Sequence, residues 1–446
     1  MGYFIWKSYN FYQDTWRIFE AIKEKRNCFF LDSAVIKDGL GRYSFLGLEP
    51  FYILKTKNRI PFNELRQILN EYKIKRPKDT PPFIGGGVGF FAYDFGLLLE
   101  KKLRPLYRAD TEIPDCYFAF YNSVIAIDHY RNKLFLFSQD KSTFKKLIRM
   151  LAEIDFRKRE VVPETEETTS PTSNFKKRDY LEAVKKAKAY IAQGDIYQVN
   201  LSQKFTTKSN FSAAALYQRL RKISPACFSA YLDGGDFQII SSSPERFLSL
   251  DGRRVQSRPM KGTRPRSQLK QKDKFLRREL LNSVKDKAEL VMIVDLMRND
   301  LGRVCEYRSI RAKSLRNLEE YSTVFQTTAT IEGILHEEMD RIDLIKACFP
   351  GGSITGCPKI RAMEIIHELE PDSRAIYTGS LGYLSFCGNL DLNILIRTVL
   401  KQNDKLSFSV GGGIVADSDP ESEYEETLVK ASGILKAINT IHKHHK

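Results

Sequence analysis

With 446 residues, 42% of them hydrophobic and 12% aromatic, the chain has enough apolar content for two or three average domains with buried cores, which excludes a disordered polymer. Lys+Arg at 71 against Asp+Glu at 55 leave a net charge of +16, but the basic clusters ("IKEKR", "KIKRPK", "RKISP", "KHHK") are spread along the chain among acidic residues. That spread argues against nucleic acid and membrane surfaces and leaves an anionic small molecule, with a basic nucleic-acid-binding protein as a remote alternative. The seven cysteines form no CxxC pair and read as reduced thiols, not as a disulfide frame or a zinc site. The start "MGYFIWKSYNFYQD" carries no leader pattern, and no apolar run approaches the roughly 18 residues of a membrane helix. A cytoplasmic protein without membrane contact is expected.

The first 160 residues mix short helical patterns with strand candidates: "YSFLGLEP", then "YFAFYNSVIAIDH" and "KLFLFS", rich in aromatic and β-branched side chains. A polar, proline-containing stretch from Phe156 to Lys177 reads as a linker, placed at 161–176, ahead of a larger region at 177–446. There "RDYLEAVKKAKAYIAQG" is an amphipathic helix with Leu181, Val184, Ala187 and Ile191 on one stripe and Gly194 as its stop. "DIYQVNLSQKF" follows, with Tyr197, Val199 and Leu201 alternating as in a half-buried strand. "FSAYLDGGDFQIISSSPERFLSLDGRRVQS" reads as consecutive antiparallel strands with turns at Gly234–Gly235 and Gly252. Strands follow strands and helices cluster elsewhere, so an α+β fold with antiparallel sheets is expected over a parallel doubly wound one.

Three features can carry chemistry. On a helix from Lys285 to Arg298, Asp286 and Glu289 are three apart; Glu423 and Glu426 repeat that spacing on a helix led by Pro420. Each pair is either an exposed helix face or part of an oxygen-ligand set for a hard cation. In "FPGGSITGCPKIRAMEIIHELEP", Gly351, Gly352, Ser353 and Thr355 precede a helix start that suits an anion, and Gly411, Gly412 and Gly413 follow a strand where bare backbone can approach a ligand; taken alone, such motifs are mostly turns. Finally, "QSRPMKGTRPR" sets Lys261 among Arg258, Arg264 and Arg266, and "GNLDLNILIRT" puts Arg397 on a strand face with Asp391, Asn393 and Leu395, where an arginine needs a carboxylate partner.

"SSSPERF", "SRPMKGTRPR", "KAELVMIVDLMRNDLGRV", "FPGGSITGCPKIRAMEIIHELEP", "YTGSLGYLSFCGNLDLNILIRT" and "GGGIVADSDPESEYEET", in this order, resemble the chorismate-utilising enzymes, in the branch of the first components of anthranilate synthase and aminodeoxychorismate synthase. "FLDSAV", "GRYSFLG" and "PPFIGGGVGFFAYDF" resemble that family's N-terminal domain, so the likeness spans nearly the whole chain. It implies two antiparallel sheets packed as a sandwich with helices outside. It further implies that Asp286, Glu289, Glu423 and Glu426 hold Mg²⁺ at the ring carboxylate of chorismate, and that Arg397, Tyr377 and the backbone of Gly411, Gly412 and Gly413 hold the enolpyruvyl carboxylate, with Ser353 nearby and Gln198 and Thr263 also facing the substrate.

Within the family, members that add water carry a lysine base where this chain has Gln198, so the resemblance implies amination, since ammonia needs no base. Anthranilate synthases resemble one another in a "PxAGT" motif; the "PMKGT" of this chain, with Lys261, is similar to the aminodeoxychorismate branch. There the lysine attacks ring C2 as the C4 hydroxyl leaves, and ammonia then attacks C4 and expels the lysine. Arg258, Arg264 and desolvation are expected to lower the Lys261 pKa, and Glu245 in "SSPERF" matches the acid that protonates the departing hydroxyl. Anthranilate synthesis is the alternative within the same family.

This chain also departs from its relatives. Gln326 stands where anthranilate synthases carry a histidine near the ring, and Asp286 replaces a glutamate, a shorter reach that leaves room for a bridging water. Ser33, Arg42 and Tyr43, with Cys227, Phe228 and Ser229, sit where relatives bind tryptophan. No Gly-x-Cys-x-Gly elbow is present, so ammonia is expected from a separate glutamine amidotransferase subunit, and a fused lyase is not expected.

Overall fold

The computed structural model describes residues 4–37, 39–157, 168–321 and 324–438. Among these, every strand pairing is antiparallel, and the strands gather into one sheet of 12 and one of 10, with helices packed outside both. The α+β sandwich is therefore the fold.

The larger sheet runs from the pair Ile5–Asn10 and Lys133–Ser138 through Phe29–Asp32 to Phe228–Asp233, Gln238–Ser243, Thr398–Gln402, Lys405–Ile414 and Gln198–Lys208. The smaller one joins Met260–Pro265, Val324–Ile334, Arg254–Arg258 and Arg246–Asp251 to Leu390–Asn393 and Ser380–Ser385, then to Gly86–Phe91, Cys116–Tyr121 and Tyr52–Thr56. Strands from before and after the expected linker thus share both sheets. The part of that linker at 161–167 lies outside the described residues. From Thr168 the chain is paired again, since Thr172–Ser173 lies against Gln198–Lys208.

Both faces of each sheet are covered, which explains the unbroken apolar runs. In "CYFAFY" Tyr117, Ala119 and Tyr121 face the other sheet, while Phe118 and Phe120 face the helices. In "FFLD" the neighbours Phe29 and Phe30 likewise enter separate cores, the sandwich interior and the layer under the helices Thr15–Ile22, Ala213–Ile223 and Pro420–Ile438.

Three local expectations need correction. The strand near Gln198 is not half-buried: Val199 and Leu201 are buried, but so are Gln198, Asn200 and Ser202 on the opposite face, and Tyr197 is 70% exposed because the strand starts after it. The helix Lys177–Ala192 is followed by Gly194 (φ +82°) as its stop, yet it buries Tyr180 and Ala183 with Val184 and Ala187, leaving Leu181 and Ile191 half-buried. Arg397 is not on a strand. Leu390–Asn393 belongs to the smaller sheet and Thr398–Gln402 to the larger, so residues 394–397 cross between sheets and Arg397 takes a left-handed φ of +52° at the crossing. Alternation cannot continue through a change of sheet.

A buried ion pair ties the strand Gln198–Lys208 to the turn at Ile354. Glu370 accepts from the Ser202 backbone N–H (2.8 Å) and hydroxyl (2.9 Å), and from Arg374 Nε (2.8 Å) and Nη2 (2.7 Å). Arg374 also donates to the carbonyls of Asn200 (2.7 Å) and Ile354 (3.0 Å). Removing one member leaves an uncompensated buried charge, so Glu370→Ala is expected to lower unfolding stability by about 3–5 kcal/mol in chemical denaturation.

Candidate active site

The sequence motifs meet where the two sheets exchange strands. Lys261 lies on Met260–Pro265 of the smaller sheet, and Gln198 and Gly413 lie on paired strands of the larger one. A Cβ placed on Gly413 would stand 2.5 Å from Gln198 Nε2 and 3.4 Å from Lys261 Nζ, so the bare backbone of that glycine is what lets the lysine and the amide approach the strand. On the other face of that strand, a Cβ on Gly412 would meet Glu423 (3.1 Å) and Glu426 (3.6 Å).

Glu245 sits between the strands Gln238–Ser243 and Arg246–Asp251 and is buried. It accepts from the Ser353 hydroxyl at 2.6 Å. Burial pushes its carboxyl up to about 7, against the partial opposition of the Ser353 hydroxyl, the Lys261 charge and the Met260 backbone N–H. Lys261 is half-buried as a residue, but its amine is desolvated, which holds its pKa below the usual lysine range; Lys430 pushes the same way, against Glu289, Glu245 and Glu426. The two arginines expected to lower it act elsewhere. Arg258 pairs with buried Glu319 at 2.6 Å, and Arg264 with Glu279 at 2.7 Å and Asp286 at 3.2 Å. A single cause, loss of water, therefore moves an acid up and an amine down side by side.

Arg397 has no ion-pair partner among the described residues, and desolvation lowers its pKa. A guanidinium in that state is a ready receptor for an anion. Tyr377 is buried in the turn ahead of Ser380–Ser385, with the Arg374 guanidinium 5.7 Å from its ring. Ser353 is in a short 3₁₀ turn, Gly352–Ile354, and not at a helix start. The helix Lys359–Leu369 begins after the intervening Gly356–Cys357 pair, so the glycine cluster is a loop packed on Leu296 and Ile394. Thr263 is exposed and accepts from Gln326 Nε2 at 3.4 Å, while Gln326 Oε1 is buried without a partner.

The four carboxylates expected as metal ligands come from the facing helices Val284–Gly302 and Pro420–Ile438. Burial raises Glu289, with Asp286 and Glu426 adding to it, and burial raises Glu423, with Glu426 adding; charge from Lys430 lowers Glu426. Cations hold them: Lys430 reaches Glu426 at 2.6 Å and Lys285 reaches Glu423 at 3.9 Å. No compact group of three or more metal-ligating side chains is formed among the described residues. The chemistry of the set, oxygen donors of which Asp286 and Glu426 push Glu289 up and Glu426 pushes Glu423 up, still fits a hard cation. Lys430, which also donates to the Gly411 carbonyl at 2.9 Å, does not stand out in the sequence, because a lysine four residues after Glu426 reads as a common helix pair.

The residues compared with a tryptophan pocket do adjoin. Ser229 is in register with Asp32, next to Ser33, and Ser33 donates to the Tyr43 carbonyl at 2.6 Å. Arg42 is committed to Asp128 (2.7 and 3.1 Å), the Arg246 guanidinium lies over Phe228 at 5.1 Å, and burial pushes the Cys227 thiol up to about 12.

A family model described as chorismate binding enzyme matches residues 28–436. The chain belongs to the chorismate-binding enzymes. It is 36% identical over 423 residues to the aminodeoxychorismate synthase component 1 of Bacillus subtilis (strain 168), covering 89% of this chain and 89% of that relative. It is 35% identical over 454 residues to the anthranilate synthase component 1 of Acetivibrio thermocellus, covering 94% and 92%. Among solved structures, anthranilate synthase component I of Streptococcus pneumoniae TIGR4 superposes with a TM-score of 0.79 at 30% identity, over 90% of this chain and 94% of that one. Identity of this size to both branches fixes the family and leaves the choice of reaction to the site. None of the described helices is long and apolar enough to cross a membrane.

Because the Ser353 hydroxyl favours the ionised form of Glu245, its loss raises the Glu245 pKa further. Ser353→Ala is therefore expected to move the alkaline limb of the kcat/KM profile to higher pH, by about one unit, in steady-state assays across pH.

Proposed function

We propose that this chorismate-binding enzyme is the aminating component of aminodeoxychorismate synthase, converting chorismate and ammonia to 4-amino-4-deoxychorismate, the precursor of 4-aminobenzoate in folate synthesis. The observation that carries the reading is the pairing of a desolvated lysine with a carboxyl raised to about 7, Lys261 and Glu245, at one place. Anthranilate formation needs no such lysine.

In this reading the neutral Lys261 amine forms a bond to ring C2, the two conjugated ring double bonds shift, and the C4–O bond breaks as Glu245 gives its proton to the departing hydroxyl, which leaves as water. The alkylammonium on Lys261 returns a proton to Glu245. Ammonia then bonds to C4, the two double bonds shift back, and the lysine leaves as a free amine with the proton that ammonia sheds. The balance is chorismate plus ammonia giving aminated product plus water. Arg397, which has no ion-pair partner among the described residues, receives one carboxylate of the substrate, beside Tyr377 and the backbone of Gly411 to Gly413. Asp286, Glu289, Glu423 and Glu426 would hold Mg²⁺ once Lys285 and Lys430 yield, and the ion would supply positive charge that binds the ring carboxylate. A glutamine amidotransferase subunit would supply the ammonia.

The deciding assay is chorismate with Mg²⁺ and an ammonium salt at mildly alkaline pH. The expected outcome is 4-aminobenzoate only after addition of a lyase; fluorescent anthranilate as the main product would instead place the chain with the anthranilate synthases. Lys261→Ala is expected to lose at least about a hundredfold in amination with its unfolding temperature kept, and mass spectrometry should find the chorismate-minus-water adduct on Lys261. Removing divalent ions with EDTA should abolish turnover and added Mg²⁺ restore it, with Glu289→Gln needing more Mg²⁺ for half-maximal rate.

A further inference from the structure

A second cavity, of about 200 Å³, opens at the other end of the smaller sheet from Glu245. Leu250 lines it and follows Glu245 by five residues along Arg246–Asp251, which separates the two places by about 16 Å along the strand. Its floor is apolar: Leu69 from the helix Phe62–Glu71, Leu250, Leu335 after the strand Val324–Ile334, and Ile342 from the helix Arg341–Cys348, all buried. Met339, 38% exposed, stands at the mouth.

Four cations line the same cavity, and three of them are accounted for. Arg66 is held by Asp340 (2.8 Å) and Asp343, Arg253 by Glu337 (2.9 Å) and Glu306, and Lys73 is exposed to water. Arg341 differs. It is 8% exposed, has no ion-pair partner among the described residues, and makes one hydrogen bond, from Nη1 to the Ser385 carbonyl at the turn whose Gly388 also lines the cavity. Loss of water pushes its guanidinium down to about 10, against the weaker opposition of Cys387 and Asp340. The helix start beside it offers no competing receptor, because the Asp340 side chain already accepts from the Ile342 and Asp343 N–H groups.

A buried guanidinium without a counter-ion, at the wall of an open cavity, is a receptor for an anion. The carboxylates on Arg66 and Arg253 limit that anion to one charge, since a dianion would meet their repulsion. The floor requires the rest of the ligand to be apolar, and the volume admits one ring, as about 150 Å³ suffices for benzene. We propose that this cavity binds a small arene monocarboxylate, of the size of benzoate, with its carboxylate on Arg341 and its ring on Leu69, Leu250, Leu335 and Ile342. The site is separate from the chorismate cleft, and the inference does not rest on the amination reading.

The test is calorimetric titration of the full chain with sodium benzoate, without chorismate. Benzoate should bind with a Kd in the millimolar range or tighter. Arg341→Gln, whose amide can still donate to the Ser385 carbonyl, should weaken binding at least about tenfold, the effect of losing a charge-assisted hydrogen bond. Met339→Trp, which keeps Arg341 and fills the mouth, should weaken it as much and decides the matter should Arg341→Gln fail to fold. Benzamide, without the charge, and acetate, without the ring, should each bind at least about tenfold more weakly than benzoate. Arg397→Gln, which removes the anion receptor of the catalytic cleft, should bind benzoate as the parent does. A parent chain that takes up no benzoate, an affinity unchanged in a folded Arg341→Gln or in Met339→Trp, or binding lost only in Arg397→Gln overturns the site. None of these outcomes bears on the amination reading, which is decided by the product formed.

Discussion

The ion pair between Glu370 and Arg374 is buried, and it has to satisfy charges that water cannot reach. It does so by drawing hydrogen bonds from three separate pieces of chain: the strand at Asn200 and Ser202, the turn at Ile354, and the segment that leads to Tyr377. Those are the pieces that present Gln198, Ser353 and Tyr377. A carboxylate and a guanidinium at this position are costly to desolvate, and the same cost makes their geometry hard to relax. The active-site scaffold inherits its rigidity from that constraint.

Around this anchor the site works by withholding water. Lys261 and Glu245 carry opposite charges when ionised and are shifted toward neutrality by one cause, desolvation, with their mutual attraction acting against it. The net effect is an amine held below, and a carboxyl held above, the range each has in water. The surrounding positive charge is partitioned: Arg258 and Arg264 are neutralised by carboxylates, Lys430 and Lys285 rest on the helix glutamates, and Arg397 alone of this set is left without a counter-ion among the described residues. A dianion entering the cleft would meet a cation whose electrostatic demand the protein has not met.

Much of the fold and part of the site are legible in the amino-acid order alone. The succession of six motifs marks the family, and the family fold follows; runs such as "CYFAFY" signal strands buried on both faces. The local patterns that mislead share one origin, a change of surroundings that adjacent residues do not record. The alternation from Asp391 to Arg397 has the period of one strand, but the chain leaves one sheet for the other there. The polar residues Gln198, Asn200 and Ser202 have the pattern of a solvent face because polar side chains at period two usually form one. The glycines before Lys359 have the composition of a helix-start anion site, and a short strand pair intervenes.

Local pattern determined which residue types could react: a lysine beside a glycine, an acid after a serine run, paired carboxylates at helical spacing. Tertiary structure decided what those groups are. Whether Lys261 is a solvated cation or a desolvated amine depends on strands and helices from distant parts of the chain closing around it. Which cation tunes it, Lys430 and not the adjacent arginines, depends on pairings made across the fold. Hydration and charge compensation are properties of three-dimensional surroundings, and a one-dimensional pattern carries them only where a family has already recorded the outcome.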